Sequence, residues 1–447
     1  MVFQSQTRRL PGALAVGAAL ALTLAGNPAH AQAREVPAES LIYDLKNPDP
    51  VRRQSAVHQL GIAKYVAATP DLVALAGDSS PSVRREVELS LEQMEDVRAL
   101  PGFVQLTADS EKDIRDRAVD ALVNIHLPRA TGPTAILTKL KSFVDHRSIE
   151  HLDTIVEPDV PVDPSVVQAL RARLSDSEIR IRRSAARGLG ILRADAGIPE
   201  LVAAVREDRD NDVRFEAVRA LRKIGDASVG ESIMPMVDFN NDKVRNEIVA
   251  TVGYLRYRRA VAALTRVFEQ SKPADQSRSV ALSALADIAD PSSKAVFQSF
   301  KADKDETIRL YANEGLARLG DSTMKTEMSG DRLTEKSSRV QTAQAFGLLR
   351  MGQVEYLDEL VRGLGSSATR DVAKEYLLET PAAQRPALFA ARAEKGGARA
   401  ELAEVYGLIG DRAALPALEE LAGDSDSGVA RAAKQAIRRV EFGARGE

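Results

Sequence analysis

The chain has no cysteine and no tryptophan among its 447 residues, and aromatic residues make up only 4%. Without cysteine there is no disulfide framework, and no thiol to carry a lipid after an export signal. So few large rings leave little to line a ligand pocket or to stack on bases. A strong charge of one sign is missing as well. The 61 Lys and Arg stand against 64 Asp and Glu, which gives no basic footprint for nucleic acid or an anionic membrane. Past the N-terminal region no apolar run approaches the length of a membrane span. What is present is a helix-rich mix of Ala, Leu, Val, Arg, Glu and Asp, with 28% charged residues. At this length one ordinary core does not suffice, and the core has to grow in one direction.

The first 31 residues read as a cleavable secretory signal. Arg8 and Arg9 form a positive start, Ala13 to Ala25 an apolar stretch too short to span a bilayer, and Asn27-Pro28 a break before the small-x-small site Ala29-His30-Ala31. Ala31-Gln32-Ala33 offers a second cleavage site. Thr7-Arg8-Arg9-Leu10 bears a faint twin-arginine pattern, and a plain charged start is the simpler reading. Loss of residues 1–31 leaves 59 basic against 64 acidic residues, a formal charge of −5. The expectation is a soluble mature chain, residues 32–447, periplasmic or secreted.

Residues 210–226, DNDVRFEAVRALRKIGD, are rewritten about every thirty positions along the chain. The shared skeleton is D-x-[DNE]-x-x-[VI]-R-x-x-A-[AV]-x-[AG]-L-[GA]. Its arginine falls at Arg53, Arg84, Arg115, Arg182, Arg214, Arg245, Arg278, Arg309, Arg339, Arg370 and Arg399, and Ala430 takes the place in the last copy. The interval is 29 to 33 residues except for 67 between Arg115 and Arg182, which leaves room for a degenerate copy in 126–174. Self-similarity at such a period marks a stack of small helical units.

Each copy reads as a pair of helices. Asp78, Asp109, Asp176, Asp208, Asp303 and Asp424 stand where an N-cap or a turn acceptor is needed. Ile181, Ala185 and Leu189, and then Val213, Ala217 and Leu221, recur at helical spacing. Gly190, Gly225, Gly253, Gly320, Gly347 and Gly410 are expected to end the first helix as C-cap glycines. Pro199 and Pro416 fall early in the second helix, where a missing N–H costs least. The recurring arginine lies beside the apolar stripe, and a residue repeated once per unit has a structural task. Each guanidinium is expected to bond an Asp of its own or the adjacent turn, which would make a charge ladder.

This skeleton resembles the HEAT-like repeat of the phycobilisome-lyase type, over roughly residues 45–440. The resemblance implies an all-α fold, a right-handed α-solenoid of about 12–13 helical hairpins. Helices packed about 8–10 Å apart would draw it out into a curved rod on the order of 100 Å long, with one helix layer concave and the other convex. Pro37–Leu45 would open the stack and Ala430–Val440 would close it. For function the resemblance is unspecific: that family holds adaptors, bilin lyases and isomerases, a di-iron hydroxylase and DNA-repair relatives.

Two stretches depart from the rhythm. Residues 126–165 contain helical spacing at Thr138–Val144 and Ile149–Val156 and then the extended EPDVPVDP. They read either as a worn repeat with a longer loop or as an inserted contact element. Residues 321–338, DSTMKTEMSGDRLTEKSS, are polar and weakly patterned, so a soft helix and an exposed turn are expected.

No catalytic, cofactor or metal residue can be nominated. The mature chain keeps His58, His126, His146 and His151. His146 and His151 lie near Asp145, Glu150 and Asp153, yet not at the i, i+4 spacing that puts two ligands on one helix face. The hydroxylase relatives implied by the resemblance carry His-Glu dipeptides on several repeats. Here no His precedes Glu, and Glu150-His151 is reversed and single. G-x-S-x-G, H-E-x-x-H and the phosphate-binding G-x-x-x-x-G-K-[ST] are missing too. The basic runs Arg180-Ile181-Arg182-Arg183 and Arg256-Tyr257-Arg258-Arg259 are local, not a basic face. The sequence therefore favours a monomeric, non-enzymatic scaffold that takes a protein or peptide partner on its concave face, without nucleic acid, membrane insertion or cofactor. An enzyme of the lyase/isomerase or hydroxylase branch is the alternative.

Overall fold

The computed structural model describes residues 37–127 and 155–443. The expected export signal and most of 126–165 lie outside these residues. No strand occurs among the described residues, and the chain is an all-α solenoid.

The repeated block makes a helix for local reasons. In Asn211–Ile224 the Asp210 side chain accepts the Asp212 and Val213 N–H groups, capping the first turn. Val213, Ala217, Leu221 and Ile224 point one buried stripe at the core. The helix stops where Gly225 turns to φ 81°, its N–H bonded to the Leu221 carbonyl. A shorter second helix follows, often entered through a 3-10 turn, as Asp195–Gly197 leads into Ile198–Glu207. Helix Ala38–Asp44 precedes the first unit, and Ser427–Gly443, with Val429, Ala433, Ala436 and Val440 buried, closes the last. The polar stretch 321–338 is an ordinary second helix, Lys325–Thr334, held by buried Met324 and Met328.

The glycines divide into two groups. Gly225, Gly320 and Gly410 have left-handed φ and end helices as expected. Gly190, Gly253 and Gly347 instead lie inside their helices. A Cβ on Gly190 would sit 2.6 Å from the Ala220 Cα, and one on Gly253 2.5 Å from the Ala284 Cα. Gly190 and Gly253 let neighbouring first helices touch backbone to backbone, while Gly347 makes room for the Met328 sulfur, 2.5 Å from where its Cβ would sit.

The ladder exists, with a different membership. Arg53, Arg84, Arg115, Arg182 and Arg399 each donate Nε and Nη2 to the two oxygens of Asp78, Asp109, Asp176, Asp208 and Asp424 in the next turn, and Arg309 does so to Glu335. Many also reach the carbonyl six residues back in their own turn, as Arg182 Nη1 does to Asp176 O at 2.9 Å. Arg214 and Arg278 make no such fork: Phe239 stands where Arg214 would meet its carboxylate, and Arg278 does not pair with Asp303. Their guanidiniums lie 4.7 Å over the Phe239 ring and 4.3 Å over the Phe268 ring, and donate to carbonyls at the end of the preceding helix. Arg339 is not a member. Gln341 holds that place and donates to the Glu335 carbonyl six residues back, because Ser337 caps the helix and Val340 begins its buried stripe.

Arg115 finds its Asp 61 residues on, where Arg182 finds one 26 residues on. Helix Lys112–Asn124 packs directly on Ile179–Ile191, so no unit separates the two in the stack. The extra residues fall inside one hairpin, between Lys112–Asn124 and its second helix Pro164–Arg173.

The expected curved stack winds far enough to touch itself. Arg256, at the end of Asp242–Tyr254, pairs with Glu379 four units later at 3.0 Å. Glu157 meets Arg439 of the closing helix, 282 residues away. The first helices pack more closely on one another from unit to unit than the second helices do, so they form the concave layer. The tight glycine contacts at their C-terminal ends increase the curvature.

Candidate functional site

The concave layer falls into two parts. From Lys112–Asn124 to Asp242–Tyr254 its side chains are tied unit to unit by ion pairs, with Arg180 and Lys243 exposed and Asp116, Arg222 and Glu247 mostly buried. Arg180 meets Asp116 at 2.8 Å, Lys243 meets Asp212 at 2.5 Å and Arg222 meets Glu247 at 2.9 Å. Phe215 lies under Lys243, 4.3 Å from its ring centre, while Arg183 and Tyr254 stay exposed.

Beyond this stretch the concave side is filled by one charge cluster. Arg318, from Glu306–Leu319, is 3% exposed and faces four carboxylates: Glu375 at 2.5 Å, Glu379 at 2.9 Å, Asp287 at 3.3 Å and Glu314 at 3.5 Å. Glu379 bridges Arg318 and Arg256. Tyr376 donates its hydroxyl to Glu314 at 2.5 Å and stacks on Phe346, 4.6 Å between ring centres. Arg350 donates to the Arg318 carbonyl. Burial pushes the Glu314 carboxyl up to about 7, against the pull of Arg318. Burial also raises Asp287, again opposed by Arg318. For Arg318 itself burial works against the charge, but Glu314, Asp287 and the two further carboxylates outweigh it and hold the guanidinium more basic than usual. Burial lowers Arg350, with Arg256 and Arg318 adding to the effect. Facing charges of both signs across skipped units brace the coil.

Neither of the described histidines enters this cluster. His58 bonds Glu86 at 2.8 Å, and buried His126 bonds the Leu122 carbonyl of its own helix. His146 and His151 lie outside the described residues. Among the described residues no group of three or more His, Cys, Asp and Glu is arranged to hold a metal ion. Arg182 of the first basic run is a ladder residue, and Arg256 of the second spans the coil. Arg258 and Arg259 line an outer groove of about 570 Å³ with Arg266, where Arg259 and Arg266 are already paired to Glu231 and Asp238. No helix among the described residues is long and apolar enough to cross a membrane.

A sequence profile for HEAT repeats matches residues 38–123, 147–222 and 167–239. Over these residues the chain carries HEAT repeats. Among known proteins the chain is similar to deoxyhypusine hydroxylase-B of Oryza sativa subsp. japonica, 25% identical over 260 residues that cover 56% of this chain and 80% of the rice protein. Among solved structures it is similar to an engineered protein, with a TM-score of 0.39, 18% identity, and coverage of 90% of this chain and 98% of that one. The complex of CpcE and CpcF of phycocyanin lyase from Nostoc sp. PCC7120 gives a TM-score of 0.33 and 22% identity, over 62% of this chain and 94% of that one.

Proposed function

We infer that the chain is an exported, non-enzymatic scaffold that binds a protein or peptide along the open part of its concave layer, from Lys112–Asn124 to Asp242–Tyr254. The observation that supports this reading is the contrast within one surface. In the later units Arg318 is buried among four carboxylates, while these four units keep Arg180, Arg183, Lys243 and Tyr254 exposed beside half-buried Phe215. Such a surface suits many weak polar contacts around a few aromatic anchors. The signal-like N-terminus supports export. The test is a photo-crosslinking residue at Arg183, on the open concave face, or at Arg266, on the outer face. Partner crosslinks at 183 and not at 266 are expected, and the reverse pattern overturns the reading. Mass spectrometry of the N-terminus of the protein recovered from the envelope tests export. Cleavage after Ala31 or Ala33 is expected, and a cytoplasmic chain starting at Met1 refutes it.

One observation favours an enzyme of the hydroxylase branch, the 25% identity to the rice protein. The described residues do not fit the iron centre of that branch. Both described histidines are engaged elsewhere, and the clustered carboxylates face guanidiniums. Iron retained by the purified protein and lost on changing His146 and His151 would restore this reading.

A further inference from the structure

We propose that Glu157 is a latch that clasps the closing helix and so fixes the coil. Glu157 begins the stretch EPDVPVDP, whose chain is anchored on its own unit. The Val156 N–H donates to the Ile191 carbonyl at 2.8 Å, the Val156 side chain is buried, and Asp163 caps Pro164–Arg173 by accepting the Ser165 N–H at 2.8 Å. Val160 and Val162 are half-buried against the core. The segment therefore holds Glu157 in place before any partner arrives.

Its partners sit one helical turn apart on one face of Ser427–Gly443. Arg439 donates Nε and Nη2 to the two Glu157 oxygens, both at 2.7 Å, and Gln435 donates Nε2 at 2.6 Å. This is a three-bond, bidentate contact with both ionic side chains more than four-fifths buried, of the kind that fixes geometry. From Ile179–Ile191 to Ser427–Gly443 the stack is built mainly from units leaning on their neighbours, with the Arg256–Glu379 and Arg318 pairs bracing its middle, and small rotations add up along such an array. One pin between the first and last of these units therefore limits the accumulated bend. The extra residues between Asn124 and Pro164 thus end in a spacer between turns of the coil. This inference does not depend on the nature of any partner.

The absence of native cysteine makes the test direct. Asp159→Cys and Arg438→Cys place the only two thiols beside the latch and leave Glu157 and Arg439 intact. A short bis-maleimide is expected to join them efficiently in the folded full-length chain. Adding Glu157→Lys should reduce the crosslinking yield about tenfold, which corresponds to about 1.4 kcal/mol, with far-UV circular dichroism unchanged. The exchange Glu157→Arg with Arg439→Glu should restore it. If Glu157→Lys loses helix content, Gln435→Ala with Arg439→Ala is read in its place. Unchanged crosslinking in a folded latch variant overturns the proposal, as does failure of the charge exchange to recover it.

Discussion

Arg182 and Arg214 occupy the same place in consecutive units and are held by different means. Arg182 grips a carboxylate that also accepts a backbone N–H, so its removal strands a largely buried Asp208. Arg214 rests on Phe239 and carbonyls. Arg182→Ala should therefore cost about 2–3 kcal/mol in denaturant unfolding, near the lower end for breaking a buried pair. Arg214→Ala should cost about half that, as a loss of hydrogen bonds and ring contact. Equal costs would contradict the account. Burial disfavours the charged Asp208, but the Arg182 fork and the Asp210 N–H outweigh it and hold the carboxyl below its usual range. That stability is present above the unfolded value and is lost as pH falls through the folded one. Glu88 runs the other way: burial, with Glu92, pushes its carboxyl from 4.5 up to about 7 against Arg117. Between pH 4.5 and 7 the folded state binds more protons, so this contribution falls as pH rises through that window and is flat above it. Glu88→Gln should raise the melting temperature at pH 8 more than at pH 5, by on the order of 2 kcal/mol in stability. No difference between the two pH values would contradict the assignment.

Among the elements, the glycines separate two jobs that look alike in sequence. Gly253→Ala forces a methyl into the Ala284 backbone and should cost about 1–3 kcal/mol. Gly410→Ala meets no neighbour and strains only its own φ of 68°, at about 1 kcal/mol. Thermal unfolding of both variants should show this order. Gly190 and Gly253 were hard to tell from caps because each is followed closely by a helix end, and only the neighbouring helix reveals the contact. The units, the apolar stripe and five of the ladder pairs were legible, since each repeats a residue type at a fixed interval, whereas Arg309 takes Glu335 in place of an Asp. Arg339 misled because its helix begins two residues later than the interval suggests, so Gln341, which shares no charge with arginine, holds the ladder place. The corrected register also exposes the charge cluster. Nine residues after each ladder position stand Asp287, Arg318, Arg350 and Glu379 in successive units, a column of both signs that a strict alignment of the copies displays.

For the whole molecule, the sequence predicts stacking and not how far the stack winds. Winding accumulates from small rotations set by side-chain size at each contact, and neither Glu379 nor Arg439 carries a local mark of a partner 123 or 282 residues away. The central claim is that the concave side closes on itself, with Arg256 reaching Glu379 across four units. Spin labels on Tyr254→Cys and Ala383→Cys, both at exposed sites in a chain otherwise free of cysteine, measure this directly by dipolar spectroscopy. A straight stack would separate units four apart by roughly 40 Å. The coil predicts one narrow distance well below that value, and a distance at or beyond it would contradict the account.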